Sequence, residues 1–198
     1  MHAFLVVLTT LAGFTRTNQR PQEPTAQKRR LARYPALETL PGHLIRRLQQ
    51  VAVSLFLGEA TKAGCDLTPV QYAALVTVDK HQGIDQATLA GAIAYDRATI
   101  VGVIDRLEKK GLVRRVLSPS DRRLRQLVIE GKGKELLQRI QSAVLDAQVK
   151  ILEPLDPGEQ AAFCSLLVKL VAANNELSRA PMRPARRALV QRKLNKRV

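Results

Sequence analysis

Asp96-Arg97-Ala98-Thr99-Ile100-Val101-Gly102-Val103-Ile104-Asp105-Arg106-Leu107-Glu108-Lys109-Lys110-Gly111-Leu112-Val113 is the stretch that decides the fold. Ile100, Val103, Ile104 and Leu107 recur at helical spacing on one face, Asp96 stands where a helix is capped, and Gly111 where one ends. Beyond Gly111 the period changes. Leu112 to Leu117 reads as extended, Ser118-Pro119-Ser120-Asp121 carries turn chemistry, and Leu124, Leu127 and Ile129 favour a returning strand. The expectation is a helix followed by a hairpin with a basic tip. Just upstream, Asp85 can cap a short helix bearing Leu89 and Ile93, which leaves Ala94-Tyr95-Asp96 as a tight turn between two helices.

Farther out the pattern is helical on both sides. Thr68-Pro69-Val70-Gln71 combines a capping Thr, Pro at the first helical position and Gln three residues after the cap, and the helix it opens should reach about Lys80. Before it, Leu37, Leu40, Leu44, Leu48, Val51 and Leu55 form one stripe on a helix ending between Gly58 and Gly64. Gly131 and Gly133 break the hairpin. Leu137, Ile140, Val144, Ala147 and Ile151 then step by three and four until Pro154, and Asp156-Pro157-Gly158-Glu159 caps a last helix with Phe163, Leu166, Leu167 and Leu170. The fold class is mainly α with a small β-hairpin wing. Residues 67–130 make a winged helix-turn-helix, while 37–64 and 131–178 are helical and expected to dimerise, because apolar seams of that length call for a partner. Residues 1–36 and 179–198 read as disordered basic tails.

Composition narrows the partners. The chain has 198 residues, 45% of them hydrophobic and only 4% aromatic, with a formal charge of +15. Six basic residues and one acidic lie in 1–36, and eight basic with none acidic in 179–198. Residues 97–125 hold nine basic and three acidic groups inside a core that is otherwise slightly acidic, a concentrated site for a polyanion such as double-stranded DNA. No phosphate-binding glycine loop, nucleophile elbow or metal-protease motif is present, and His2, His43 and His81 lie far apart, so neither catalysis nor a cofactor nor a metal is expected. Acidic neighbours such as Asp105 and Glu108 suit ion pairing better than acid-base work. Cys65 and Cys164 show no metal or disulfide spacing. The apolar run Phe4 to Leu8 lacks a preceding cation, and nothing approaches a membrane span, so a cytoplasmic protein with no membrane partner is the expectation.

Charge and phasing nominate the DNA-facing residues. Arg122, Arg123 and Arg125 on the hairpin join Arg97 and Arg106 on the helix, with Thr88 on the short helix before it. A solvated basic hairpin is the bland reading of the same charge. Ala98, Val101 and Gly102 fall opposite the apolar face of the second helix, which leaves thymine-methyl contacts and DNA shape to carry much of any sequence preference. Thr99 is placed either to meet a phosphate or to satisfy a backbone donor.

Leu89-Ala90, Asp96-Arg97-Ala98-Thr99, the run Asp105 to Val113 and Asp121-Arg122-Arg123 together resemble the MarR family of winged-helix transcription regulators, over about residues 37 to 178. The resemblance implies a homodimer formed by the first and last two helices, a pseudo-palindromic operator, and release by a small phenolic or carboxylate ligand or, in some members, by thiol oxidation. It also implies that Asp105, Arg106 and Asp121 pair so as to fix the wing against the recognition helix. The expected function is a ligand-responsive DNA-binding regulator, a repressor. Cys65 as a thiol switch, and a winged-helix module for protein or RNA, are the rival readings.

On the first helix His43, Arg47, Gln50 and Ser54 share a polar flank beside the apolar stripe, with Arg46 farther toward water. Hydrocarbon beside a cation suits an amphipathic acid. Similar regulators hold their effector between the dimerisation helices and the helix-turn-helix, which brings in Tyr72. The expected effector is a small aromatic acid or a derivative of one, held by His43, Arg46, Arg47 and Tyr72. Hydrogen bonds at a dimer interface or on the surface are the plainer use of these side chains.

Overall fold

A computed structural model describes residues 36–118 and 125–185 of the chain. The described residues divide into two units between Leu44 and Ile45. In the first, the described residues form a 3-10 turn, Leu37–Thr39, fastened by the Thr39 hydroxyl donating to the Ala36 carbonyl at 2.8 Å, and then begin a helix at Pro41. That helix is α1 (Pro41–Lys62), followed by α2 (Pro69–Lys80), β1 (Ile84–Asp85), α3 (Gln86–Ala92), α4 (Arg97–Lys109), β2 (Val113–Leu117), β3 (Arg125–Ile129), α5 (Gly131–Leu152) and α6 (Pro157–Ala173). A second 3-10 turn, Asn175–Leu177, closes the series. Among the described residues no single helix is long and apolar enough to cross a membrane.

The helix starts are set by local chemistry. The Gln71 backbone N–H donates to the Thr68 hydroxyl at 3.3 Å and the Thr68 N–H to the Gln71 side-chain oxygen at 3.1 Å, which satisfies two otherwise orphaned donors of α2. Asp156 and Glu159 repeat the device at α6, at 2.9 and 3.0 Å. Gly111, at a φ of 69°, turns the chain out of α4 in the left-handed region that glycine tolerates.

The core gathers where α2, α3 and α4 meet. Leu75, Leu89, Ile100, Ile104 and Leu107 are fully buried, joined by Leu127 from β3 and Ile140 from α5. Each such side chain contributes about 1.5–3 kcal/mol by leaving water. The sheet has the order β1-β3-β2, all antiparallel, with Val113 opposite Ile129, Arg115 opposite Leu127 and Leu117 opposite Arg125. Its third strand escapes the sequence pattern: β1 is two residues long, too short for any alternation, and is defined by the pairing of Ile84 with Leu127 and Asp85 with Gln126.

Several expectations need correction. The seam on α5 assigned to a partner is largely spent inside the chain: Ile140 and Ala147 are fully buried, and Leu137 and Val144 pack against the core. On α1 the buried residues are Phe56, Glu59 and Ala60, whereas Leu44 and Val51 of the expected stripe are about half exposed. Periodicity identifies the face that favours burial; it does not say which surface covers it. Cys164, although it stands within the apolar stretch of the last helix, is exposed, and Cys65 is buried. The tail expected from residue 179 also starts too early, since the Arg183 N–H donates to the Gly91 carbonyl at 2.8 Å and Ala185 packs against the core. Residues 1–35 and 186–198 lie outside the described residues.

Glu59 ties α1 to α5. Its carboxylate accepts from Lys150 at 2.6 Å and from Lys62 at 2.8 Å. The hydrogen bonds from Lys150, then Lys62, outweigh burial and hold its pKa below the ordinary 4.5. The stabilisation is therefore present above the unfolded carboxylate's pKa and is lost as pH falls through the lower, folded value.

The hairpin ends at Ile129, just before Gly131 and Gly133, and Gly133 has a packing role besides. It lies buried in the first turn of α5, where a Cβ would collide with the Leu112 carbonyl oxygen and come within 2.8 Å of Ile129 Cγ1. The obstacle is backbone and cannot swing aside. Gly133→Ala is expected to lower stability by about 1–3 kcal/mol in urea unfolding, and an unchanged midpoint would contradict this close packing.

Candidate nucleic-acid interface

Helices α3 and α4 are bent by 106° from one another across the connection Ile93 to Asp96, within the range of a helix-turn-helix. Each is started by an aspartate. Asp85 accepts from the Thr88 N–H at 2.9 Å and from its hydroxyl at 2.6 Å, and Asp96 accepts from the Ala98 N–H at 2.8 Å. Burial acts to raise the Asp85 pKa, but hydrogen bonds from the Thr88 side chain and the first backbone N–H groups of α3 outweigh it and bring it below the ordinary carboxylate value. Ala94 takes a φ of 51° in the turn, a left-handed conformation that costs a residue with a Cβ about 1–2 kcal/mol.

The residues of α4 sort cleanly by side. Ile100, Val103, Ile104 and Leu107 are buried, while Arg97, Ala98, Thr99, Val101 and Arg106 are exposed and Gly102 is half-buried. Thr88 is half-buried, and its hydroxyl is engaged with Asp85. On the hairpin, Arg125 begins β3 and is exposed. Asp121, Arg122 and Arg123 lie outside the described residues.

What fixes the hairpin against α4 is a side chain that the sequence did not single out. Arg115 on β2 donates through Nη2 to Asp105 Oδ1 at 2.6 Å and through Nη1 to Glu108 Oε2, and its backbone N–H donates to Glu108 Oε1 at 3.0 Å. Its side chain is only 18% exposed. Burial opposes the charge, yet the hydrogen bond to Asp105 and the attraction of Glu108 hold its pKa above the ordinary arginine value. Of the three residues expected to pair across the wing, Asp105 meets Arg115, Arg106 is exposed on α4, and Asp121 lies outside the described residues. Nothing in the spacing marks Arg115. Its partners precede it by ten and seven residues, and only the strand leaving Gly111 brings them together. Two further pairs brace the same unit: Lys110 with Asp66 at 2.8 Å, and Arg114 with Glu130 at 2.5 Å.

The effector candidates are less concentrated. Arg46 and Arg47 are exposed on α1, with Arg46 Nη1 donating to Gln50 Oε1 at 3.2 Å. Tyr72 is half-buried, its ring 5.8 Å from that of Phe56. His43 belongs to the first unit. A groove of about 740 Å³ lies elsewhere, bordered by Thr77, His81, Ala92, Leu167, Met182 and Arg183, and none of the four candidates lines it.

Comparison with known proteins agrees with this geometry. The MarR family model matches residues 67–124. The regulatory protein named for the hcr operon of Thauera aromatica is 33% identical over 135 residues, covering 68% of this chain and 81% of that protein. The transcriptional repressor CouR of Rhodococcus jostii, solved on a 23-mer DNA duplex, is 30% identical with a TM-score of 0.62, over 68% of this chain and 94% of its own. Bordetella bronchiseptica BpsR, whose DNA binding is regulated by 6-hydroxynicotinic acid, is 26% identical with a TM-score of 0.64, over 69% and 96%.

Replacing Arg115 with Ala leaves the Asp105 and Glu108 carboxylates facing each other without their cation. The expected cost is about 1–3 kcal/mol in chemical unfolding, with Arg115→Lys recovering only part because a point charge does not reproduce the two-pronged contact. Wild-type stability in the alanine variant would show that the clamp does not hold the hairpin.

Proposed function

We propose, from the premise that the chain belongs to the MarR family of transcriptional regulators, that it is a repressor binding double-stranded DNA as a homodimer and released by a small aromatic acid. The observation that carries the reading is the exposed face of α4 beside the braced hairpin. Arg97 and Arg125 supply phosphate contacts, and Ala98 and Val101 present small apolar surfaces suited to thymine methyl groups in the major groove. The hairpin arginines Arg122 and Arg123 extend the phosphate contacts, and Thr99 positions the unit on the backbone, whereas Thr88 serves the cap of α3 through Asp85. Arg106 adds charge on the outer side of α4.

The dimer is supported by apolar surface that the single chain leaves open. Leu166, Val168, Leu170 and Val171 on α6 are all more than half exposed, as is Ile45 on α1, more than scattered surface residues account for. A two-fold pair of such chains reads a two-fold operator.

An aromatic acid is supported by the BpsR likeness, whose named effector is an aromatic carboxylic acid, and by the exposed cation of Arg47 on α1, the helix that also carries Phe56 of the aromatic pair. Arg47 is the proposed carboxylate anchor.

Two experiments test this reading. Substituting Arg122 and Arg123 by Ala should weaken binding to all duplexes and lower the salt slope by about one phosphate contact per charge removed, whereas Val101→Ser should change which base is preferred. Unchanged affinity and salt dependence in the first pair would remove the wing from the interface. Titrating the protein–operator complex with aromatic acids should release the wild type, and Arg47→Ala should need at least about tenfold more of the active compound, the equivalent of one charge-assisted pair. Release of both proteins at the same concentration would eliminate Arg47 as anchor, and a panel without any active member would eliminate the ligand class.

A further inference from the structure

The chain does not leave the fold at the end of α6. Asn175 brackets the returning segment, its Oδ1 accepting from the Met182 N–H at 2.8 Å and its Nδ2 donating to the Met182 carbonyl at 3.3 Å. Arg183 grips both oxygens of Glu176, at 2.6 and 2.7 Å, and donates its backbone N–H to Gly91 at the end of α3. Its Cβ would be 3.3 Å from a Cβ at position 91, so the glycine there admits the close approach. Residues 175–185 are thereby seated on the helix-turn-helix itself.

Between these anchors the segment delivers Arg179 to the start of α4, with Nε 3.5 Å from Asp96 Oδ2 and the side chain 85% exposed. A pair so long and so open to water adds little to stability. Arg97, at the same end of the helix, is also exposed. Arg179 is thus a cation held at the opening turn of the helix that faces DNA, with most of its hydrogen-bonding capacity turned to solvent. The sequence continues from Ala185 with Arg186, Arg187, Arg192, Lys193, Lys196 and Arg197 and no acidic residue.

We propose that this C-terminal segment is an auxiliary DNA-contacting arm: its anchors at Asn175, Glu176 and Gly91 hold Arg179 against a phosphate beside the α4 entrance and begin the basic 186–198 run from a fixed point on the helix-turn-helix. The inference rests on the DNA-binding reading above. A recognition helix lying in the major groove has phosphates at its N-terminal end, and a basic run gains effective concentration when it is tethered beside its target. The docked segment holds Arg179 at a defined place and starts the basic run beside the helix-turn-helix, outside the base-reading surface.

The test compares the full chain with Arg179→Ala, Arg179→Lys and a chain ending at Ala185. Each is titrated by fluorescence anisotropy, over a series of salt concentrations, on a duplex selected from a random pool and on a scrambled duplex. Arg179→Ala should weaken both duplexes by the same factor and lower the salt slope by about 0.9 for each phosphate no longer neutralised. Lysine at this position should restore most of the slope. The chain ending at Ala185 should bind both duplexes more weakly and show a smaller slope than the full chain. Unchanged slopes in Arg179→Ala and in the shortened chain would overturn the arm while leaving DNA binding intact. A change of base preference that lysine does not rescue would overturn it too, because Arg179 would then act on α4 through Asp96. A full chain that retains neither duplex would overturn the DNA-binding reading and the arm with it.

Discussion

Burial of one face of α4 is the constraint from which the candidate interface follows. Ile100, Val103, Ile104 and Leu107 leave water together against α2, α3 and the sheet, a gain on the order of 6–12 kcal/mol at about 1.5–3 kcal/mol for each side chain. No surface contact in the unit competes with that sum. Once the face is committed, helical geometry alone turns Arg97, Ala98 and Val101 outward. The orientation of the outward face is then refined by polar contacts: Asp96 fixes where α4 starts, and Arg115 fixes where the hairpin stands relative to Asp105 and Glu108.

How legible each part was in the sequence follows from the distance between interacting groups. The caps at Thr68, Asp85, Asp96 and Asp156 were readable because donor and acceptor lie within three residues. The buried face of α4 was readable because one helix contains the whole pattern. Arg115, Gly133 and the C-terminal anchors were not, because each acquires its meaning from a partner brought near by folding: Asp105 for the first, the Leu112 carbonyl for the second, Gly91 for the third. The stripe on α5 is an intermediate case. Its apolar face was found, but its partner was misjudged, since Ile140 and Ala147 are buried in their own chain and the open apolar surface belongs to α6.

Charge follows the same division of labour. Among the described residues, acidic groups near α4 are occupied in holding structure, with Asp105 and Glu108 on Arg115, Asp66 on Lys110 and Glu130 on Arg114. Arg97 and Arg125 remain at the exposed side, and Arg179 is brought to it from the far end of the chain. A modest local excess of cations can therefore act as a site, because the anions that would neutralise it are engaged elsewhere.

In the proposed function, two copies of this α4 face and hairpin read DNA about a two-fold axis. Selection of bound sequences from a random duplex pool tests it most directly. Enrichment of a motif with two inverted half-sites is expected, their centres one helical turn, roughly 34–36 Å, apart. A pool that stays unenriched under stringent competition, or a single half-site with no inverted partner, would contradict it.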